Sequence, residues 1–207
     1  MSQQPRATLV LSPDDPSNTT IYDAADGTEV YTVSTQCRWN GTTTYIVNVH
    51  GAVVAALQER YLVSDRLILG RDPPMPLHEW LRINMANISV NMNASFKDES
   101  GRKYKWKGNV VGHRGALELF TKDDEYTEPI ARFDRSHPQG VSGAQSGSST
   151  EHQHRPRPAT LSLTLRALEI RDSVVTSLLV LEKQRRKDRQ ALQASPEDPT
   201  EVYRWGS

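Results

Sequence analysis

The sequence predicts one mostly β domain that encloses an apolar helix near its C-terminus. Three observations predict it. Short runs of alternating residues, punctuated by turn residues, fill the first two-thirds of the chain. The nine residues Ser173 to Leu181 carry no charge and spread apolar side chains around every side of a helix. The chain has 207 residues, 36% of them hydrophobic, with Cys37 its one cysteine, which fits a single domain with a real core and no disulfide framework.

Residues 1–17 are expected to form an N-terminal segment with an edge strand, and residues 18–193 the domain itself. Asn18 to Asp23 and Thr28 to Ser34 flank Asp26-Gly27, a pair that favours the positive φ of a hairpin turn. Thr43 to His50 alternates Tyr45, Val47 and Val49 against Ile46, Asn48 and His50, the period of a strand. Residues 51–92 are left open. Ala52 to Tyr61 fits a helix or a bent strand, Pro73 to Pro76 is a break, and Leu77 to Ile83 resumes an element around Trp80. Phe96 to Lys107 is the clearest unit. A turn at Ser100-Gly101 leads into Lys103 to Lys107, with Tyr104 and Trp106 on one face and three lysines on the other. Ala116 to Phe120 and Pro129 to Asp134 read as strands. His137 to Pro158 is rich in Ser, Gly, Gln, His and Pro and reads as a disordered loop insertion. Ala159, Leu161, Leu163 and Leu165 then alternate with hydroxyl residues in a further strand. Residues 194–207 read as a tail in which Tyr203 and Trp205 are the groups able to dock.

The helix decides the architecture. Asp172 or Ser173 is the expected N-cap, and Glu182 to Gln193 is dense in helix formers. A segment apolar all round must be enclosed. Nine residues rise only about 14 Å as a helix, whereas a membrane-spanning helix needs about 20 apolar residues. Protein is therefore the expected enclosure, with the basic end of the helix emerging into solvent. A short core strand is the rival reading of the Val and Leu run.

Composition narrows the function. Lys plus Arg and Asp plus Glu are 25 each, so the net charge is zero and nothing pulls the whole chain toward nucleic acid. The start of the chain lacks a secretory h-region, and a single cysteine suits a reducing compartment. An intracellular, cytoplasmic protein is expected, peripheral to a membrane if it binds one. The Asn-X-Ser/Thr triplets at Asn18, Asn40, Asn87 and Asn93 then read as polar strand and turn residues. No nucleophile elbow, Walker loop or His-Glu-x-x-His motif is present. No catalytic residue, cofactor or metal site is assigned, and the chain is expected not to be an enzyme. His152 and His154 lack a completing ligand set. Cys37 is expected to be a partly buried structural thiol.

The segments NTTIYDAADGTEVY, FKDESGRKYKWKG, ELFTKDDEYTEPIARFDRS and LEIRDSVVTSLLVLEKQRRKD resemble a family from basidiomycete fungi, the domain of unknown function six-five-nine-three. The resemblance runs in order from Asn18 to Arg189, is poor over Gly51 to Met92, and leaves the loop after His137 expanded. That family is similar to the tubby-like superfamily, with tubby C-terminal domains, plant LURP-one-related proteins and phospholipid scramblases. The resemblance implies a closed β-barrel of about a dozen strands around a central C-terminal helix, and the residues themselves ask for at least a strongly curved sheet. Tubby domains bind phosphoinositides, which makes anionic lipid headgroups the partner to consider beside a protein partner.

Two basic features supply candidate contacts. Arg102, Lys103, Lys105 and Lys107 form a stripe on one strand face. Lys183, Arg185, Arg186, Lys187 and Arg189 cluster toward the end of the helix, where cations also suit the helix dipole. Either set fits a non-enzymatic binding module. The alternative is a structural or scaffold β domain with no small-molecule ligand, in which both sets are solvated faces that blunt a sheet edge or cap a helix.

Overall fold

The structure is a computed structural model and describes residues 4–84, 91–109, 116–136 and 157–194. Thirteen strands form one sheet: β1 (Ala7–Ser12), β2 (Thr19–Asp23), β3 (Glu29–Arg38), β4 (Gly41–Asn48), β5 (Val53–Arg60), β6 (Arg66–Leu69), β7 (Met75–Pro76), β8 (Arg82–Asn84), β9 (Asn91–Lys97), β10 (Lys103–Asn109), β11 (Leu117–Thr121), β12 (Pro129–Asp134) and β13 (Ala159–Leu163). Three α-helices, α1 (Leu77–Trp80), α2 (Leu165–Glu169) and α3 (Arg171–Ala194), and a short 3-10 turn at Lys122–Asp124 complete the described chain.

The strand order is β7-β6-β5-β4-β3-β2-β1-β13-β12-β11-β10-β9-β8. Each strand pairs with its sequence neighbours, except that β1 meets β13 and β7 does not meet β8. All pairings are antiparallel. The expected closed barrel is therefore corrected to an open, strongly curved sheet. Topology gives the reason. In a row of thirteen antiparallel strands the first and last run the same way. Parallel neighbours need a crossover connection of roughly a dozen residues, and β7 and β8 are joined only by residues 77–81.

Enclosure of α3 is what bends the sheet. Val174, Val175, Thr176, Ser177, Leu178, Leu179, Val180, Leu181, Glu182 and Lys183 are all buried. Consecutive residues point about 100° apart on a helix, so no single packing face could cover them. Inward residues from across the sheet meet them in one core: Leu9, Leu11, Ile21, Tyr31, Val33, Ile46, Leu67, Trp106, Leu119, Phe133 and Leu161. Burying one Val or Leu side chain stabilises by roughly 1.5–3 kcal/mol, so this helix is the main tie between distant strands. Hydrogen bonds fix its rotation. Trp106 Nε1 donates to Ser177 Oγ at 2.9 Å, and the Tyr31 hydroxyl donates to Asp172.

Several sequence expectations are met with new detail. The turn around Gly27, at φ 73°, joins β2 to β3. Pro129–Asp134 is β12, and Ala52 to Tyr61 resolves as strand β5. In β4 the alternation places Ile46 inward, while Tyr45 and Val47 line the half-buried outer side. Other expectations are corrected. The N-terminal strand is not at an edge, because β1 lies between β2 and β13. Leu165 leaves the strand to start α2 and is exposed, since Thr164 N donates to Ile130 O and turns the chain. Asp172 and Ser173 lie inside the first turn of α3, because the helix begins at Arg171, directly after α2 and Ile170. Cys37 is exposed near the end of β3. The loop from His137 and the tail carrying Tyr203 and Trp205 lie outside the described residues, apart from Arg157 and Pro158.

Candidate functional site

The lysine stripe is built from the inside outward. The turn between β9 and β10 holds Gly101 at φ 78°, and Asp98 Oδ1 accepts from Arg102 N at 2.9 Å. Tyr104 and Trp106 then face inward and are fully buried. Tyr104 stacks on Phe96 with ring centroids 5.3 Å apart, and its hydroxyl donates to Asp98 Oδ2 at 2.9 Å. Burial pushes the Tyr104 pKa up to about 12, with the Asp98 hydrogen bond acting the same way. Period two then sends Lys103, Lys105 and Lys107 outward.

Register adds residues that the sequence reading did not include. Lys103 pairs with Lys97, Lys105 with Ser95, and Ser95 with Arg82. Directly paired side chains share a face, so Arg82, Lys97, Lys103 and Lys105 lie on one outer wall spanning β8, β9 and β10. Arg82, Lys97 and Lys103 are exposed, and Lys105 is half-buried. Like charges placed opposite one another destabilise a sheet, yet among the described residues none of the four joins a carboxylate in an ion pair. Two neighbouring carboxylates are engaged elsewhere. Glu118 pairs with Arg132 at 3.1 Å, and Asp98 lies 3.7 Å from Arg166. Glu99 sits exposed in the turn with Arg102. Symmetry about that turn was the available signal for Lys97. Nothing local marked Arg82, which arrives through β8.

Lys107 separates from the stripe. Its Nζ donates to Tyr126 O at 2.9 Å and sits 4.1 Å from the centre of the Phe120 ring. Those contacts make it a packing residue that covers Phe120.

The helix cluster is also committed to the fold. Lys183 and Arg185 are buried rather than solvated, which corrects the expectation that the basic end emerges freely. Lys183 Nζ lies 2.6 Å from Glu59 Oε2 and also donates to Thr44, while Lys187 pairs with the other Glu59 oxygen. Burial alone would raise the Glu59 pKa, but hydrogen bonds from Lys183 and Lys187 hold it below its ordinary value. Arg185 and Arg135 both bond to Glu182, at 2.9 and 3.0 Å. Burial pushes the Glu182 carboxyl up to about 7, against the pull of Arg135. Arg186 pairs with Asp14, whose Oδ2 also accepts from Ser136 N at 3.1 Å. A buried charge is tolerable only when paired, and the sheet extends far enough along α3 to require that pairing. Arg189 is exposed.

Among the described residues, no group of three or more His, Cys, Asp or Glu is placed to hold a metal ion. Among them also, no helix is long and apolar enough to cross a membrane.

The chain is similar in structure to a protein from Arabidopsis thaliana solved by X-ray crystallography. The TM-score is 0.43 and the identity 12%, over 86% of this chain and 93% of that one. No curated protein matches the sequence. A family model described as a family of unknown function, DUF6593, matches residues 14–187, and the chain belongs to that family.

Proposed function

We propose that the protein is a non-enzymatic binding module that takes anionic phosphorylated headgroups on the wall formed by Arg82, Lys97, Lys103 and Lys105, at the cytoplasmic face of a membrane. The observation that carries the reading is the Lys97–Lys103 pair. Two lysines face each other with no intervening carboxylate, beside Lys105 and Arg82 on the same wall, an arrangement that costs stability unless an anion shares the site. The resemblance to tubby-like domains, which bind phosphoinositides, supports it by analogy.

The test is sedimentation with phosphoinositide-containing vesicles at low and high salt, comparing the chain with the Lys97→Gln/Lys103→Gln/Lys105→Gln variant. Each cation near an anionic surface contributes about 1 kcal/mol, so the variant should bind roughly a hundredfold more weakly. Binding should fall as salt rises. Lys107 is left in place because it packs on Phe120. A soluble inositol phosphate competitor distinguishes headgroup recognition from attraction to a charged surface. Failure of the unaltered protein to bind at low salt, or equal binding by the variant, would leave the scaffold reading standing instead.

A further inference from the structure

Two neighbouring hairpin tips expose large apolar side chains almost completely. Trp39, between β3 and β4, is 93% exposed. Tyr61, Leu62 and Val63, between β5 and β6, are 73%, 95% and 56% exposed. The tips touch, since Tyr61 N donates to Asn40 O at 3.5 Å. Gly41 makes the approach possible: a Cβ there would lie 2.0 Å from Glu59 O. The second tip is braced from within. Arg60 Nη2 donates to Ser64 O at 2.6 Å, and Arg60 N to Asp65 Oδ1 at 3.1 Å. The loop is thus held in shape while its apolar residues face water.

We propose that these tips insert into the interfacial and acyl region of an anionic bilayer. Charge complementarity points there. Arg38 and Arg66 flank the tips, are exposed, and join no ion pair among the described residues. Of the carboxylates beside the tips, Glu59 is neutralised by Lys183 and Lys187, and Asp65 is half-buried and accepts from Arg60 N. Side-chain chemistry agrees. Trp and Tyr prefer the headgroup level, and Leu and Val the hydrocarbon below it. Size argues against a protein partner. The tips comprise residues 38–40 and 61–64, whereas a stable protein interface uses roughly 20–30 residues a side. Protruding tips also fit a deformable surface better than a rigid one. The proposal stands on the tips and does not require the basic wall.

The experiment uses the full chain, vesicles of phosphatidylcholine with and without phosphatidylserine, and lipids brominated in the acyl chain. Wild type should sediment with the anionic vesicles, and its tryptophan fluorescence should be quenched by the bromine. Trp39→Ser/Leu62→Ser should bind at least about tenfold more weakly, the factor given by losing burial of one large apolar side chain. Its thermal unfolding should be unchanged, because both residues are exposed. Trp39→Phe should still bind while most of the quenching disappears, which assigns the depth to residue 39. Wild type that ignores anionic vesicles overturns the proposal, as does a double variant that binds like wild type. A wild-type dimer that the double variant converts to monomer, without vesicle binding, would make the tips a contact between copies and would equally overturn it. Loss of binding in the lysine variant alone, with the tip variant unaffected, would leave the wall reading intact and remove this one.

Discussion

Truncating the leucines of α3 one at a time tests whether the sheet encloses the helix. Leu178, Leu179 and Leu181 are 1%, 3% and 0% exposed. They point at about 0°, 100° and 300° around the helix axis, an arc of roughly 160° that is wider than one ordinary packing face. Leu→Ala at a buried site costs roughly 2–5 kcal/mol, the transfer of the lost carbons plus a share for the cavity that cannot collapse. Leu179 borders a small apolar pocket with Ile46, Leu57 and Leu67, so it loses fewer contacts and should fall near 2 kcal/mol, at the low end of that range. Leu178 and Leu181 do not border that pocket and should fall higher, at about 3–5 kcal/mol. The assay is urea unfolding of the three single variants, read as midpoint at constant slope. A Leu→Lys change at the same positions should be worse, because it buries an unpaired charge. One leucine costing under about 1 kcal/mol would refute enclosure. It would return α3 to a helix lying across one face of the sheet.

The other predictions concern charge and backbone. The folded Glu182 carboxyl sits near 7, above its unfolded value, so the stability linked to it is present below about pH 4.5 and lost as pH rises through about 7. Glu182→Gln should therefore flatten the fall in unfolding free energy between those limits, by up to about 3 kcal/mol. A variant whose pH profile parallels wild type would show that Arg135 and Arg185 keep the carboxylate ionised throughout. Gly41 has φ 149° and no room for a Cβ against Glu59 O. Gly41→Ala should thus destabilise by more than about 1 kcal/mol and part the two tips, measurable as a lower melting temperature. Normal stability in that variant would show that the β4–β5 approach relaxes easily.

Much of the fold was legible because local and global signals agree. The β9–β10 hairpin is set by Gly101 and by Tyr104 and Trp106 on one face, and the structure places both rings inside. The all-round apolar run of α3 required enclosure, and enclosure is what the burial of Val174 to Lys183 shows. The failures share a cause, which is long-range pairing. Nothing near Lys183 reports that Glu59 waits 124 positions earlier on β5, so a buried cation read as a solvated one. Nothing near residue 9 reports that β13 lies beside it, so an interior strand read as an edge. The candidate site was half legible. Lys103 and Lys105 could be read from alternation, but Lys97 needed the register and Arg82 the topology. Lys107 looked equivalent to them, because alternation cannot see Phe120 and Tyr126 arriving beneath it.

The open seam ties the two proposed contacts together. It persists because β7 and β8 point the same way, and a one-turn helix cannot be the crossover that parallel pairing demands. What spans the seam is α1. At its start, Leu77 N donates to Asp65 O at 2.9 Å, which fastens it to the loop carrying Tyr61, Leu62 and Val63. At its end, Leu81 is buried and Arg82 opens β8, the first strand of the basic wall. α1 thus links the loop before β6 to the strand that opens the basic wall, although β6 and β8 lie near opposite ends of the sheet order. If both proposed contacts hold, one vesicle meets the tip and the wall together. The tip and wall variants should then each weaken binding to that vesicle, and the combined variant should bind more weakly than either, because separated sites contribute roughly additively. A combined variant no weaker than one of the single-site variants would mean that only one of the two contacts touches the vesicle.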